Sequence, residues 1–179
     1  MSKAAHYWHN GWAVLRAYWY LRRASQLGRG VRVWGRPVVS NRGTLILGNR
    51  VRLVSTVARL ELAVSEGGTL RIDEGVYINY GCSLGANQLI HVGPNCTIGT
   101  HVIMMDNDFH RLEPERRQEK PDSAPIVLEE NVWLGARVIV LRGVTIGQGS
   151  VIGAGSVVNR DIPPRCVAAG VPARVIRRL

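Results

Sequence analysis

Residues 128–158 read Leu128-Glu129-Glu130-Asn131-Val132-Trp133-Leu134-Gly135-Ala136-Arg137-Val138-Ile139-Val140-Leu141-Arg142-Gly143-Val144-Thr145-Ile146-Gly147-Gln148-Gly149-Ser150-Val151-Ile152-Gly153-Ala154-Gly155-Ser156-Val157-Val158. Counting in sixes from Leu128 lands on Leu134, Val140, Ile146, Ile152 and Val158, all aliphatic. The count also runs backward. Ahead of an interruption stand Met104, Ile98 and Val92, and a slip of two residues leads to Leu84, Ile78 and Ile72. An earlier fragment, Leu47-Gly48-Asn49-Arg50-Val51 with Leu53 and Val57, keeps the same phase. The residue after each anchor is often Gly or a small acidic or amide residue. Four places beyond each anchor the side chain is small or branched: Val76, Cys82, Cys96, Val102, Val132, Val138, Val144, Ser150, Ser156, Ile162.

A six-residue unit makes one short strand and one turn. The anchor points into a narrow interior, and the glycine or asparagine after it is expected to free the backbone for the corner. Three units close one coil, and stacked coils bury a continuous aliphatic column. A conventional sandwich has no reason to repeat at six. The pattern predicts an all-β parallel solenoid over residues 31–179, in which Cys82 and Cys96 are small core residues and not reactive thiols.

Composition agrees. The 179 residues (19.7 kDa) are 46% hydrophobic and 20% charged, so the chain can bury a core without disulfides. Aromatics make up only 6% while glycines number 20, which suits tight repeated turns better than a helical bundle. No apolar run approaches the ~20 residues of a spanning helix, and the longest, residues 12–21, is broken by Arg16. No apolar stretch followed by a small-residue cleavage site marks a secretion signal. Cys82, Cys96 and Cys166 lack metal-ligand spacing and read as reduced thiols, so a cytoplasmic location is expected.

The charge is one-sided. Residues 1–60 carry Lys3 and ten arginines and no acid, whereas residues 61–179 carry twelve basic and thirteen acidic side chains. The whole formal excess of +10 therefore belongs to the first third. Arginine forks suit phosphate, so a basic arm suggests an anionic surface or ligand; a solvated, solubilising face is the plainer alternative.

The repeat, together with Gly143-Val144-Thr145-Ile146-Gly147, Val151-Ile152-Gly153-Ala154-Gly155-Ser156 and the ending Val167-Ala168-Ala169-Gly170-Val171-Pro172-Ala173-Arg174-Val175-Ile176, resembles the hexapeptide-repeat acyltransferases, in particular the maltose, galactoside and bacterial-polysaccharide O-acetyltransferases. The resemblance implies a left-handed parallel β-helix, although crossovers are in general right-handed. It also implies acetyl-CoA as acyl donor and a homotrimer with its sites between subunits.

The period stops between Met104 and Leu128. A long loop expelled from a regular coil, here 105–125, is usually functional. It holds Asp106-Asn107-Asp108-Phe109-His110, with the only Phe of the chain. The resemblance makes His110 the general base that takes the proton of the acceptor hydroxyl, a task suited to an imidazole neutral near pH 7. A carboxylate is expected to fix its tautomer. Asp106, Asp108 and Glu113 are all near enough, with Asp106 taken as the catalytic partner and Asp108 with Asn79 as acceptor-binding. Asn79 could equally be a corner residue in a left-handed conformation. The resemblance further implies cofactor contacts. Trp133 would lie beside the acyl-CoA chain. The Gly135-Ala136 corner would offer the Ala136 N–H to the thioester oxygen, where relatives often carry serine. Ala154 would line the pantetheine, and Asn159, Arg160, Arg174 and Arg177 the phosphate-bearing nucleotide end. No metal is expected: His91, His101 and His110 lack the paired spacing of a zinc site, and no fourth ligand is evident.

The first thirty residues are a separate segment. Trp8, Trp12, Leu15 and Trp19 form one stripe at helical spacing, bordered by Tyr7, Tyr18 and Tyr20, followed by Arg16, Arg22 and Arg23 and closed by Gly28 and Gly30. Such a helix fits peripheral contact with an anionic membrane, at its inner face, or packing over the open end of the solenoid. The combined reading is an acetyl-CoA-dependent O-acetyltransferase acting on a sugar hydroxyl, such as that of a bacterial envelope polysaccharide, without a nucleic-acid partner. An N-acetyltransferase of a nucleotide-linked amino sugar is the enzymatic rival. A non-catalytic β-helix binding membrane or nucleic acid is the rival of another class.

Overall fold

The computed structural model describes residues 3–179, with side chains from Gly11 onward, so Tyr7 and Trp8 of the aromatic stripe lie outside the described side chains. One helix, α1 (Lys3–Tyr20), precedes a three-faced parallel β-helix. Face one stacks strands Gln26–Leu27, Thr44–Leu47, Thr69–Ile72, Leu89–Val92, Ile126–Leu128 and Thr145–Ile146. Face two stacks Arg32–Gly35, Arg52–Ser55, Tyr77–Ile78, Thr97–Ile98, Trp133–Leu134, Val151–Ile152 and Cys166–Gly170, closed by the antiparallel Ala173–Arg178. Face three stacks Val38–Asn41, Glu61–Val64, Ser83–Ala86, Ile103–Met105, Ile139–Val140 and Val157–Val158.

The anchors form three vertical columns. Leu47, Ile72, Val92, Leu128 and Ile146 stack in register on face one. Leu53, Ile78, Ile98, Leu134, Ile152 and Ala168 do so on face two. Leu62, Leu84, Met104, Val140 and Val158 do so on face three. All are buried, and where the six-residue phase holds so are the branched or small residues four places beyond, such as Val51, Val76, Cys96, Val132 and Ser150. Each fully buried aliphatic side chain contributes about 1.5–3 kcal/mol, so the columns hold the coils together while backbone bonds such as Gly48 N–H to Ile72 C=O set their spacing.

Four details differ from the sequence reading. The first strand begins at Gln26, pairing with Ile46, so the solenoid starts before residue 31. Val57 is 78% exposed, because the coil between Leu53 and Leu62 carries extra residues and leaves the six-residue phase. The glycine after each anchor does not supply the left-handed corner. That conformation falls three places after the anchor, at Arg50, Gly75, Gly81, Asn95, His101, Asn131, Arg137, Gly143, Gly149 and Gly155. The glycine after the anchor is instead demanded by close approach: a Cβ on Gly135 would sit 2.7 Å from the Ala154 nitrogen, and one on Gly99 2.8 Å from the Ala136 nitrogen. The last difference is at α1: its Ala13 and Ala17, and Leu21 just past its end, are buried against the first coils, beside the strand Arg32–Gly35. Trp12, Leu15 and Trp19 of the aromatic stripe face outward.

Candidate active site

The loop that interrupts the repeat leaves face three after Met105 and rejoins face one at Ile126. Its root is clamped. Asp106 is fully buried, and its carboxylate accepts hydrogen bonds from the backbone N–H groups of Asn87 (2.8 Å), Gln88 (2.7 Å) and Leu89 (2.7 Å). These amides belong to the corner with the two-residue slip, where the extra residues leave donors that no coil neighbour satisfies. The Asp106 carbonyl accepts from Ala124 N–H at 2.9 Å, and Asn107 bridges Ser123, so both strands of the loop are tied at the base.

Above the root the chain turns sharply. Asn107 Oδ1 accepts from Phe109 N–H at 2.7 Å, and Asp108 C=O accepts from His110 N–H at 2.7 Å. Phe109 between them has φ 60°. A bulky residue at positive φ costs roughly 1–3 kcal/mol and persists only where its surroundings over-determine it. The turn leaves the Phe109 ring exposed and aims His110 outward. His110 Nδ1 lies 3.1 Å from the Arg117 carbonyl oxygen. A carbonyl only accepts, so Nδ1 carries the hydrogen, and in the neutral ring the lone pair is on Nε2.

This corrects the expected partner. None of Asp106, Asp108 and Glu113 is hydrogen-bonded to the imidazole. Asp106 is spent on three backbone amides. Asp108, expected to bind acceptor, pairs with Arg142 Nε at 2.6 Å and ties the loop to the next coil. Arg111 pairs with Asp122 at 2.8 Å across the loop. Two residues went unnoticed in the sequence. One is Arg142, which no periodicity distinguishes from a solvated corner arginine. The other is Asn107, only 6% exposed, whose Nδ2 has no hydrogen-bond partner. Asn107 lines a groove of about 510 Å³ over face three, together with Glu61, Ser83, Asn87, Met105 and Phe109.

The remaining candidates fall into two groups. Asn79, Gly135, Ala136 and Ala154 share the edge between faces two and three: Asn79 N–H bonds to Ile98 C=O, and Gly135 N–H to Ile152 C=O in the same column. Asn79 is not the left-handed corner residue; Gly81 is, and Asn79 Oδ1 accepts from Tyr80 N–H at 2.9 Å. Among the hydrogen bonds of the described residues, none is donated by the Ala136 or Ala154 amide. Trp133 is 54% exposed on face two, in one outward column with Val151, Val167 and Arg177, and Arg174 pairs with Ala169 nearby. Asn159 and Arg160 are exposed on the other edge of face three, where the His110 loop is rooted. Thus the structure gathers Asn79, Gly135, Ala136, Ala154 and Trp133 at one edge and roots His110 at the opposite one.

The other histidines have separate tasks. His91 Nε2 meets Asp73 at 2.7 Å, and Arg71 reaches the same carboxylate at 2.7 Å. Burial pushes the Asp73 carboxyl up, but the hydrogen bonds from His91 and Arg71 outweigh it and hold the pKa below the ordinary value. His101 is a left-handed corner residue with its ring edge-on to Tyr80 at 5.7 Å. Among the described residues no group of three or more His, Cys, Asp or Glu side chains is placed to hold a metal ion.

A parallel β-helix of hexapeptide coils, interrupted once by a pinned histidine loop, defines the class of protein. The family model for the bacterial transferase hexapeptide (six repeats) matches residues 125–160. The chain is 31% identical to a galactoside acetyltransferase solved in complex with coenzyme A, with a TM-score of 0.58 over 91% of this chain and 69% of that one. It is 27% identical to a hexapeptide-repeat acetyltransferase of Vibrio cholerae complexed with acetyl coenzyme A, with a TM-score of 0.65 over 93% of this chain and 77% of that one. Galactoside O-acetyltransferase of Escherichia coli K12 is 39% identical over 115 residues, which is 64% of this chain. The match spans 57% of that curated relative's length. The chain belongs to the hexapeptide-repeat acetyltransferase family.

Proposed function

We propose that this chain is an acetyl-CoA-dependent O-acetyltransferase acting on a sugar hydroxyl, as in an envelope polysaccharide or its precursor, in the cytoplasm. The observation that carries the reading is His110: it stands where the repeat breaks, with Nδ1–H held by the Arg117 carbonyl and Nε2 free to accept a proton. The galactoside acetyltransferase relatives support the donor and acceptor classes.

In the proposed reaction the acceptor hydroxyl gives its proton to His110 Nε2 while its oxygen attacks the thioester carbonyl. The oxyanion that forms is met by the amide N–H of Ala136, which needs no side chain for the task. The C–S bond then breaks, and the imidazolium returns its proton to the departing coenzyme A thiolate. Trp133 and Ala154 flank the donor arm, and Arg174 and Arg177, with Asn159 and Arg160, face its phosphates. His110 and the Ala136 edge are rooted on opposite sides of face three, which supports a homotrimer in which the His110 loop of one protomer serves the Ala136 edge of its partner.

Release of free thiol from acetyl-CoA in the presence of galactosides and maltose tests the reading. His110→Ala is expected to lose about 10²–10⁴ in turnover with coenzyme A binding retained. Near wild-type turnover by that variant, or an active species of monomer mass in light scattering, overturns the mechanism or the shared site respectively.

A further inference from the structure

We propose that α1 is an interfacial anchor that lays the N-terminal end of the β-helix on an anionic lipid surface. The helix has two unlike faces. Ala13, Ala17 and Leu21, one helical turn apart, are each 1% exposed and seat α1 on the first coils. Trp12, Leu15, Tyr18 and Trp19 are 57, 59, 62 and 67% exposed. A helix that served only as a lid would bury its large rings and expose its small residues, because apolar burial scales with area. Here the order is inverted, and a contiguous aromatic surface faces outward, the mark of an interaction site.

The charge around the stripe identifies the occupant. Arg16 and Arg36 line a cleft of about 430 Å³ with Trp12, Leu15, Trp19 and Gly35. The Arg22 guanidinium lies 5.2 Å over the Trp19 ring. Arg16, Arg22, Arg23 and Arg36 are all exposed. Residues 1–60 contain no acid, and among the described residues of that stretch Arg50 alone makes an ion pair, with Glu74. A second copy of this surface would meet its own positive charge. An anionic bilayer instead offers phosphate to the arginine forks and an interfacial layer to the indole rings. The helix lies on such a surface and does not cross it, since no helix among the described residues is long and apolar enough to span.

Sedimentation of the full chain with vesicles tests the proposal. Phosphatidylcholine vesicles containing phosphatidylglycerol are compared with phosphatidylcholine alone, at about 0.05 M and about 0.5 M salt. Two double variants, Trp12→Ser/Trp19→Ser and Arg16→Gln/Arg36→Gln, alter only outward positions, and circular dichroism melting checks that the fold persists. Binding is expected on the anionic vesicles only, lost at high salt and weakened about thirtyfold by the arginine variant. Brominated lipid is expected to quench the fluorescence of the wild type more strongly than that of the tryptophan variant, which keeps Trp8. Equal binding to neutral vesicles, or no binding at low salt, overturns the proposal. So does a fall in oligomer mass in the tryptophan variant, which would make the stripe an interface between copies. Binding to a duplex oligonucleotide with no vesicle binding would assign the charge to nucleic acid instead.

Discussion

Asp106→Asn separates two roles that the sequence could not tell apart. If Asp106 holds the catalytic imidazole, its amide leaves the fold intact and alters the pH dependence of turnover. If it is the clamp seen here, the first cost is stability. Oδ1 serves the Asn87 amide and Oδ2 those of Gln88 and Leu89. Asparagine has one acceptor oxygen, so its NH₂ must face at least one of these donors, and the surviving bonds lose their charge assistance. Hydrogen bonds to a charged group contribute about 1.5–3 kcal/mol each, which sets the loss at about 2–3 kcal/mol for asparagine and about 4–6 kcal/mol for alanine. With a urea slope of about 2 kcal/mol per molar, the midpoint falls by about 1–1.5 M for Asp106→Asn. Turnover of the folded variant is expected to fall by about 10² at most, because a displacement of about 1 Å at the loop root costs that order, with the shape of the pH profile unchanged. A midpoint within about 0.2 M of wild type, together with a shifted pH profile, would refute the clamp and restore Asp106 to the imidazole.

Gly135→Ala places a methyl 2.7 Å from the Ala154 nitrogen and 2.9 Å from the Ile152 oxygen, both backbone. The coils must separate, and a melting temperature lower by roughly 2–12 °C is expected from thermal denaturation. Burial pushes the Cys82 and Cys96 thiols up to about 11, so a thiol reagent at pH 8 should leave both unmodified until urea unfolds the chain; fast labelling of native protein would show the core reading to be wrong. Asp73 has a folded pKa below its unfolded one, so its pairing stabilises above about pH 3.9 and the contribution disappears as pH falls through the folded value. His91→Gln should therefore lower stability near pH 6, by an amount that shrinks as pH falls below about 3.9, and an effect that stays constant across that acid range would refute this linkage.

The fold was legible because each coil repeats one environment. A position every sixth residue is apolar for the same reason each time, and Ile72, Ile78, Leu84, Val92, Ile98, Met104, Leu128, Leu134, Val140, Ile146, Ile152 and Val158 are all buried. What the repeat could not disclose is anything set by the stacking of one coil on another. The glycine after the anchor looked like a corner residue, but its reason lies in the next coil: for Gly135 and Gly99 it is the backbone of Ala154 and of Ala136. The partner of Asp106 was hidden similarly. Three carboxylates stand within four residues of His110, and the choice among them is made by open amides at residues 87–89, on the preceding coil. In α1 the helical spacing was readable but not which stripe packs: the rim of the first coil receives alanines and a leucine, and the larger rings are left outside.

The same stacking explains how a surface loop can hold the His110 imidazole in one orientation. Closing a loop of this length costs little more than closing a short one, so length is tolerated, but flexibility would ruin the geometry a proton transfer needs. The ties reach two coils and the loop's own return strand: Asp106 to residues 87–89, Asp108 to Arg142, and Asn107 to Ser123. Taken alone, the last is a partly exposed ion pair contributing at most about 1 kcal/mol. Its effect is geometric, because together with the buried Asp106 carboxylate it fixes the chain that enters the strained turn at Phe109. The imidazole then needs no carboxylate of its own. A turn held from two coils brings the Arg117 carbonyl to Nδ1, and a neutral acceptor there orients the ring without adding a negative charge beside it.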